Sequence, residues 1–388
     1  MSGTVGSDPA GVSKAVLLAS NSFFNIANFR GRLVEALVDA GYAVRIATPQ
    51  VDFEWARARG AEAIDIQVDR SGLNPINDAK LWIAYLGLLR RTKANYFIGF
   101  TAKPNIYGSL AARLSNVASL PNVSGLGTAF VSEGVLSRFV GLLYRIAFLR
   151  CPIVFFQNAD DRDLFVTKRI VKPGQARLLP GSGIDLDYFT PAAMPADDGQ
   201  LRFLFIGRLL GDKGVREYVE AARQLRTDHP NWRFQLLGDV DPCNRTGIDA
   251  AEVGQWVDEG VIEHLGHADD VRPIVASATA VVLPSYREGM PRSLLEAAAM
   301  ARPLVAADVP GCRQLVNDGI NGLLCRPRDA RSLAGAIHQL GSMDSQQRAQ
   351  MGREARAKVE REYSVERVVR AYLDALAQLA GDPGVKIN

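Results

Sequence analysis

The sequence predicts an α/β protein built of two Rossmann-like, doubly wound domains, and three observations carry that prediction. A chain of 388 residues, 47% of them hydrophobic, is long enough to bury two cores of ordinary size. It opens on a strand–helix–strand unit, the seed of a parallel sheet with helices on both faces. A second such opening starts at Leu201, after a Pro-, Ala- and Asp-rich stretch. The expected divisions are a disordered tail over 1–13, a first domain over 14–185, a linker over 186–200 in which Thr190 to Gly199 reads as a solvated connection, a second domain over 201–362 and a last helix over 363–380.

Lys14 to Ser20 reads as the first buried strand, 21–28 as a loop, Phe29 to Ala40 as a helix ending at Gly41, and Tyr42 to Thr48 as the next strand. The loop after the first strand is where such a sheet binds anions; it holds Asn25 and Asn28, with Arg30 at the helix start. It contains no GxGxxG. Gly125-Leu126-Gly127 and Gly181-Ser182-Gly183 are too short for that fingerprint, which argues against a dehydrogenase. Gly99 to Gly108, with Lys103 and Asn105, and Asn122 to Phe130, with Gly127 and Thr128, each follow an apolar stretch and read as loops at the sheet's binding edge.

Leu81 to Lys93 and Val135 to Arg150 read as amphipathic helices, the second with Arg138 and Arg145 on one face. Apolar, aromatic and arginine side chains together suit an interfacial helix, and they also suit a helix packed on a sheet. Charge favours the first reading. Residues 1–180 carry 21 Lys/Arg against 13 Asp/Glu, whereas 181–388 carry 24 against 29, so a net charge of +3 hides a basic first half.

In the second half, Leu201 to Gly207 is a strand followed by Arg208, Lys213 and two further glycines, a basic loop suited to a diphosphate. Later strands end at Gly238-Asp239 and at Gly266-His267. The apolar run Ala280 to Leu283 leads into Ser285-Tyr286-Arg287-Glu288-Gly289-Met290-Pro291-Arg292 and then a helix through Glu296. Gly289 frees the loop backbone, Pro291 suits the first helical turn, and the free amides of that turn seat phosphate oxygens. Glu288 stands before this seat and Glu296 about five residues into the helix, roughly 7 to 8 Å further along. Ala330 to Leu340, Ser345 to Glu362 and Val365 to Leu379 read as helices whose destination periodicity does not give.

Glu288 and Glu296 resemble the Glu-x7-Glu signature of the retaining glycosyltransferases of family 4, which have the two-domain GT-B fold. The resemblance continues through Arg302-Pro303-Leu304-Val305, Gly311-Cys312-Arg313 and Asp318 to Gly322, and includes Gly207-Arg208, Lys213-Gly214 and Pro180 to Asp185. It departs at Gln314, where family members commonly carry Glu. It implies domains facing across a cleft and a last helix crossing back to the first domain. It further implies catalytic roles for Glu288, Arg208 and Lys213, and donor contacts from Glu296, Gly289, Met290, Pro291, Gly238 and His267. The first-half stretches resemble a subgroup that extends polyprenyl-diphosphate-linked glycans for capsule, exopolysaccharide or glycoprotein glycan assembly. Acceptor binding then falls to Asn25, Asn28, Arg30, Lys103, Asn105, Gly127 and Thr128.

The activity implied is transfer of a hexose or N-acetylhexosamine from a UDP-linked donor, with retention, to a lipid-linked saccharide. Partners are that donor, that acceptor and a membrane surface, with no nucleic acid. All four histidines, His229, His264, His267 and His338, fall in the second half, so the first domain has none to act as general base. There is no metal-ligand spacing, so no metal and no cofactor beyond the co-substrate is expected. Cys151, Cys243, Cys312 and Cys325 read as reduced thiols. Lack of an 18-residue apolar run or a signal peptide places the chain in the cytoplasm, peripheral on the inner face of the plasma membrane. Two other readings are a nucleotide-sugar epimerase of the same fold and a non-catalytic nucleotide-sugar-binding subunit of a membrane assembly.

Overall fold

A computed structural model describes residues 14–69, 74–126, 135–196, 198–242 and 244–381; the predicted tail 1–13, Gly127 and Thr128 lie outside the described residues. The first sheet is formed by β1 (Ala15–Ala19), β2 (Ala43–Thr48), β3 (Glu62–Asp65), β4 (Tyr96–Gly99) and β5 (Ala118–Ser119), in the order β3-β2-β1-β4-β5. A bridge from Phe100 to Asn122 continues it into a short sheet of β6 (Asn122–Val123), β7 (Val154–Phe156) and β8 (Ala176–Leu178). Around these pack α1 (Phe23–Phe29), α2 (Gly31–Asp39), α3 (Phe53–Ala58), α4 (Pro75–Thr92), α5 (Ser109–Leu114), α6 (Val135–Phe148) and α7 (Ala159–Thr167).

The second sheet comprises β9 (Arg202–Ile206), β10 (Arg233–Leu237), β11 (Glu263–Gly266), β12 (Ala280–Leu283), β13 (Leu304–Ala307) and β14 (Gly322–Cys325), in the order β11-β10-β9-β12-β13-β14. Its helices are α8 (Val215–Asp228), α9 (Ala250–Asp258), α10 (Arg272–Ser277), α11 (Arg292–Ala299), α12 (Cys312–Leu315), α13 (Ala330–Gly341) and α14 (Ser345–Glu362). Both sheets are parallel, and β1, β4, β12 and β13 are buried along their whole length, as strands covered on both faces must be. The strand order reverses between β1 and β4 and again between β9 and β12. Each reversal opens a crevice at the carboxyl ends of the strands, the place where such sheets bind ligands.

The chain passes between the domains at two adjacent points. Ile184 N–H donates to Tyr363 O (2.8 Å) and Val365 N–H donates to Ile184 O (2.9 Å). Gly183, at φ +74°, lies so close to Val365 that a Cβ would fall 2.5 Å from its Cα. The last helix, α15 (Val365–Leu379), then packs into the first domain, where Val368, Tyr372, Ala375 and Leu376 join its core and Asn122 Nδ2 donates to Tyr372 Oη (2.7 Å).

Two expectations are corrected and a third is sharpened. The presumed loop over 21–28 is mostly helix α1, because Ile26 is fully buried and Phe23 packs edge-on against Trp55, and the helix breaks at Arg30. Asn25 and Asn28 therefore sit on a helix. Residues Gly99 to Gly108 are no open loop: after β4 the chain turns helical, with a π-turn over Pro104–Gly108 that leads into α5. Gly108 faces the Phe97 ring, where a Cβ would lie 2.0 Å from Cζ. The linker is solvated as expected, with most of the described residues from Thr190 to Gly199 exposed, but it is anchored. Fully buried Arg302 reaches Ala193 O (2.5 Å), Val275 O (3.1 Å) and Ala276 O (3.0 Å), since a desolvated guanidinium needs acceptors, and it pins the linker to the second domain.

Candidate active site

The crevice between β9 and β12 is lined by the loops that follow those two strands, and backbone contacts lash the loops together. After β9, Gly211–Lys213 forms a tight turn closed by Gly214 in the left-handed region (φ +75°), where a Cβ would fall 2.2 Å from Pro284 O. From the other loop, Ser285 Oγ (3.2 Å) and Tyr286 N–H (2.9 Å) both donate to Asp212 O. This interlock brings Lys213 Nζ to 2.5 Å from Glu288 Oε1 in a largely buried ion pair. Tyr286 Oη donates to Glu217, and burial pushes its phenol up to about 12.

Helix α11 starts at Arg292, so Pro291 is its N-cap rather than a first-turn residue and offers no side chain to the first amides. Those amides are left without a side-chain cap four residues after Glu288, an arrangement that can hold an anion. Glu296 is the fifth residue of α11, about 6 Å along the axis from Arg292. Arg292 Nε holds its carboxylate at 2.8 Å, while Arg292 Nη1 donates to Gly183 O at 2.5 Å beside the domain crossing. Burial raises the pKa of Glu296, and Arg292 opposes that shift.

The remaining second-domain residues are dispersed. Arg208 is exposed and turned away from Glu288 onto Asp241 (3.0 Å). Gly238 packs on the β9 end, where a Cβ would lie 2.0 Å from Gly207 O, so its place is steric. His267 stands exposed at the rim with Nδ1 3.0 Å from Asp239 and Nε2 3.5 Å from Asp269.

In the first domain most of the expected acceptor contacts point inward. Asn105 is 1% exposed and spends its Nδ2 on Asn122 O (2.7 Å), and Lys103 pairs with buried Asp78 (2.9 Å). Both are struts within the domain, because a helical turn rather than an open loop carries them. Arg30 is 2% exposed over the Phe100 ring (4.6 Å), and burial lowers its pKa to about 10. Its Nε and Asn25 Oδ1 are buried without hydrogen-bond partners. Asn28 is exposed and donates to Phe24 O.

Sequence reasoning missed the residues that join the domains. Asn158, Asp160 and Asp161 at the start of α7 contact Gly289, Gln314 and Arg287 respectively. The signal was available: a polar and acidic run, Gln157-Asn158-Ala159-Asp160-Asp161, directly after a buried strand. Among the described residues, no group of three His, Cys, Asp or Glu side chains could hold a metal ion.

Known proteins share this architecture. Residues 200–342 match the family model for glycosyl transferases group 1, and residues 15–158 match that for glycosyl transferase 4-like proteins. The chain is 27% identical to an N,N'-diacetylbacillosaminyl-diphospho-undecaprenol alpha-1,3-N-acetylgalactosaminyltransferase of Campylobacter jejuni, over 83% of this chain and 88% of that protein. It is 26% identical to a UDP-Gal:alpha-D-GlcNAc-diphosphoundecaprenol alpha-1,3-galactosyltransferase of Escherichia coli, over 68% and 70%. The structure of sucrose-phosphate synthase from Thermosynechococcus elongatus superposes with a TM-score of 0.80 at 21% identity, covering 95% of this chain and 99% of that one.

Proposed function

We infer the reaction from the premise that the chain belongs to the GT-B glycosyl transferases, group 1 in its second domain and 4-like in its first. It transfers a hexose or N-acetylhexosamine from a UDP-linked donor to a polyprenyl-diphosphate-linked saccharide, with retention and without a metal. The observation that carries this reading is the Lys213–Glu288 pair, held at the strand-order reversal before the open N-terminus of α11 and facing the first domain. The names of the two relatives, both transferases acting on undecaprenol-diphosphate-linked sugars, support the acceptor class.

In this mechanism the diphosphate lies on the α11 amides with Lys213 beside it, Glu288 takes hydroxyls of the donor sugar, and Glu296 takes the ribose. Arg208 swings from Asp241 to the diphosphate when the donor arrives. Stabilising the departing diphosphate is the main catalytic effect, each donor group contributing about 2.7 to 4 kcal/mol. The departing phosphate takes the acceptor proton on the face it leaves, which preserves configuration, a route that fits a first domain without histidine.

The acceptor lipid reaches the cleft from a membrane that the first domain touches. On α6 and just beyond it, Phe139, Leu142, Ile146 and Leu149 recur on one face, and all are exposed, as are Arg138, Arg145 and Arg150. Exposed apolar side chains among arginines match an interfacial helix on anionic lipid. No helix of the described residues is long and apolar enough to cross the bilayer.

Incubation with UDP- and GDP-sugars, with and without a lipid-diphosphate saccharide, tests the reading. Transfer should require both substrates and retain configuration, and should be lost in Glu288→Ala. Donor interconversion without transfer would establish an epimerase, and binding without turnover a scaffold.

A further inference from the structure

We propose that Asn158, Asp161 and Gln314 are positioning residues forming a latch between the domains, which sets the Arg287–Met290 loop for catalysis only when the cleft is closed. The inference rests on the transferase reading and adds to it a role for the first domain in shaping the donor site.

Asn158 caps α7, taking the Asp161 N–H on Oδ1 (2.7 Å), and its Nδ2 serves both Asp161 Oδ2 (2.9 Å) and Gly289 O across the cleft (2.8 Å). The Asp161 carboxylate is wholly buried and accepts from the Arg287 guanidinium next to Glu288. Such a charge is stable there only while its partner is in place. The Glu288–Met290 backbone is gripped on both sides. A Cβ on Gly289 would lie 1.9 Å from Ser124 O of the first domain, and one on Gly311 2.5 Å from Gly289 O. In a trans peptide the carbonyl and the following N–H point in opposite directions. The bond that draws Gly289 O toward α7 therefore turns the Met290 N–H back toward its own domain, where the anion seat lies.

Gln314 completes the latch and gives its departure from the family's glutamate a physical reason. Its Oε1 accepts the Gly311 N–H (2.8 Å), while its Nε2 donates to Asp160 Oδ2 in the first domain (2.6 Å). A glutamate could keep the first bond but would set a carboxylate against a carboxylate in the second.

The full chain carries the test. Gln314→Glu should lower kcat about tenfold, the effect of losing one bond to a charged group. UDP affinity by calorimetry should fall less than kcat does, because the α11 amides, Lys213 and Glu296 belong to the second domain and only the Met290 N–H is set by the latch. Adding Asp160→Asn should restore kcat, since the new amide donates to the introduced carboxylate. Asn158→Ala should likewise lower kcat more than it lowers UDP affinity. Small-angle scattering should show Gln314→Glu opening the molecule and the double variant closing it. An unchanged kcat in a folded Gln314→Glu protein, a missing rescue, or a parallel loss of UDP affinity would overturn the latch. Should wild type transfer no sugar, the transferase reading fails instead, and scattering still decides whether the latch holds the domains.

Discussion

Replacing Lys213 by alanine isolates the charge on which the proposed reaction depends. A unit charge about 4 Å from the departing phosphate oxygen, at an effective dielectric of about 20, is worth roughly 4 kcal/mol. The structure moves the expectation to the lower end of the oxyanion-donor range of about 2.7 to 4 kcal/mol, because Glu288 Oε1 lies 2.5 Å from the same ammonium and neutralises part of its field. A loss of about 2.7 kcal/mol corresponds to roughly a hundredfold in kcat. The assay is initial-rate transfer of radiolabelled sugar to a lipid-diphosphate acceptor at saturating donor, with folding confirmed by thermal melting. Lys213→Ala should lose about a hundredfold in kcat, and a Lys213→Ala/Glu288→Gln double variant should lose less than the two single losses combined. A folded Lys213→Ala enzyme within threefold of wild type would refute the placement of the diphosphate beside this residue.

Three further outcomes test other parts of the structure. Glu296 has a raised pKa in the folded state, so the stability linked to its protonated form is present at acid pH and lost as pH rises through that pKa; the Tm of Glu296→Gln minus that of wild type should become more positive from pH 4 to 7, and a difference constant with pH would contradict it. Arg302→Ala removes the partner of the Ala193 and Ala276 carbonyls, while Val275 O keeps the Ala278 N–H, so at about 1 to 3 kcal/mol for each unsatisfied group Tm should fall by about 4 °C or more. Phe139→Asp and Leu142→Asp alter side chains 49% and 53% exposed, so they should leave Tm unchanged yet weaken sedimentation with anionic vesicles several-fold each; equal binding by the variants would remove the α6 face from the membrane contact.

Much of the fold was legible because its signals are local. Unbroken apolar runs such as Ala280–Leu283 mark strands buried on both faces, and glycine and proline mark where those strands end. The Glu288 loop was found the same way, from a strand, a Gly-Pro loop and a helix in immediate succession. The errors arose where tertiary packing overruled local chemistry. Asn and Phe residues over 21–28 look like a loop until Ile26 and Phe23 find a core, and Lys103 and Asn105 look like surface ligands until Asp78 and Asn122 claim them.

The sequence by itself determined the two parallel sheets and the strand, loop and helix that carry Glu288 and Glu296 on the second, since both follow from patterns spanning about a dozen residues. Only the tertiary structure decided which residues of α15 complete the first domain's core, that Arg302 anchors the exposed 186–200 stretch, and that α7 reaches the Arg287–Met290 loop. Asn158 and Gly289 are 131 residues apart, Asp161 and Arg287 126, and Asp160 and Gln314 154. No short-range propensity records such pairs, because a hydrogen bond between domains costs nothing and contributes nothing until both have folded and met.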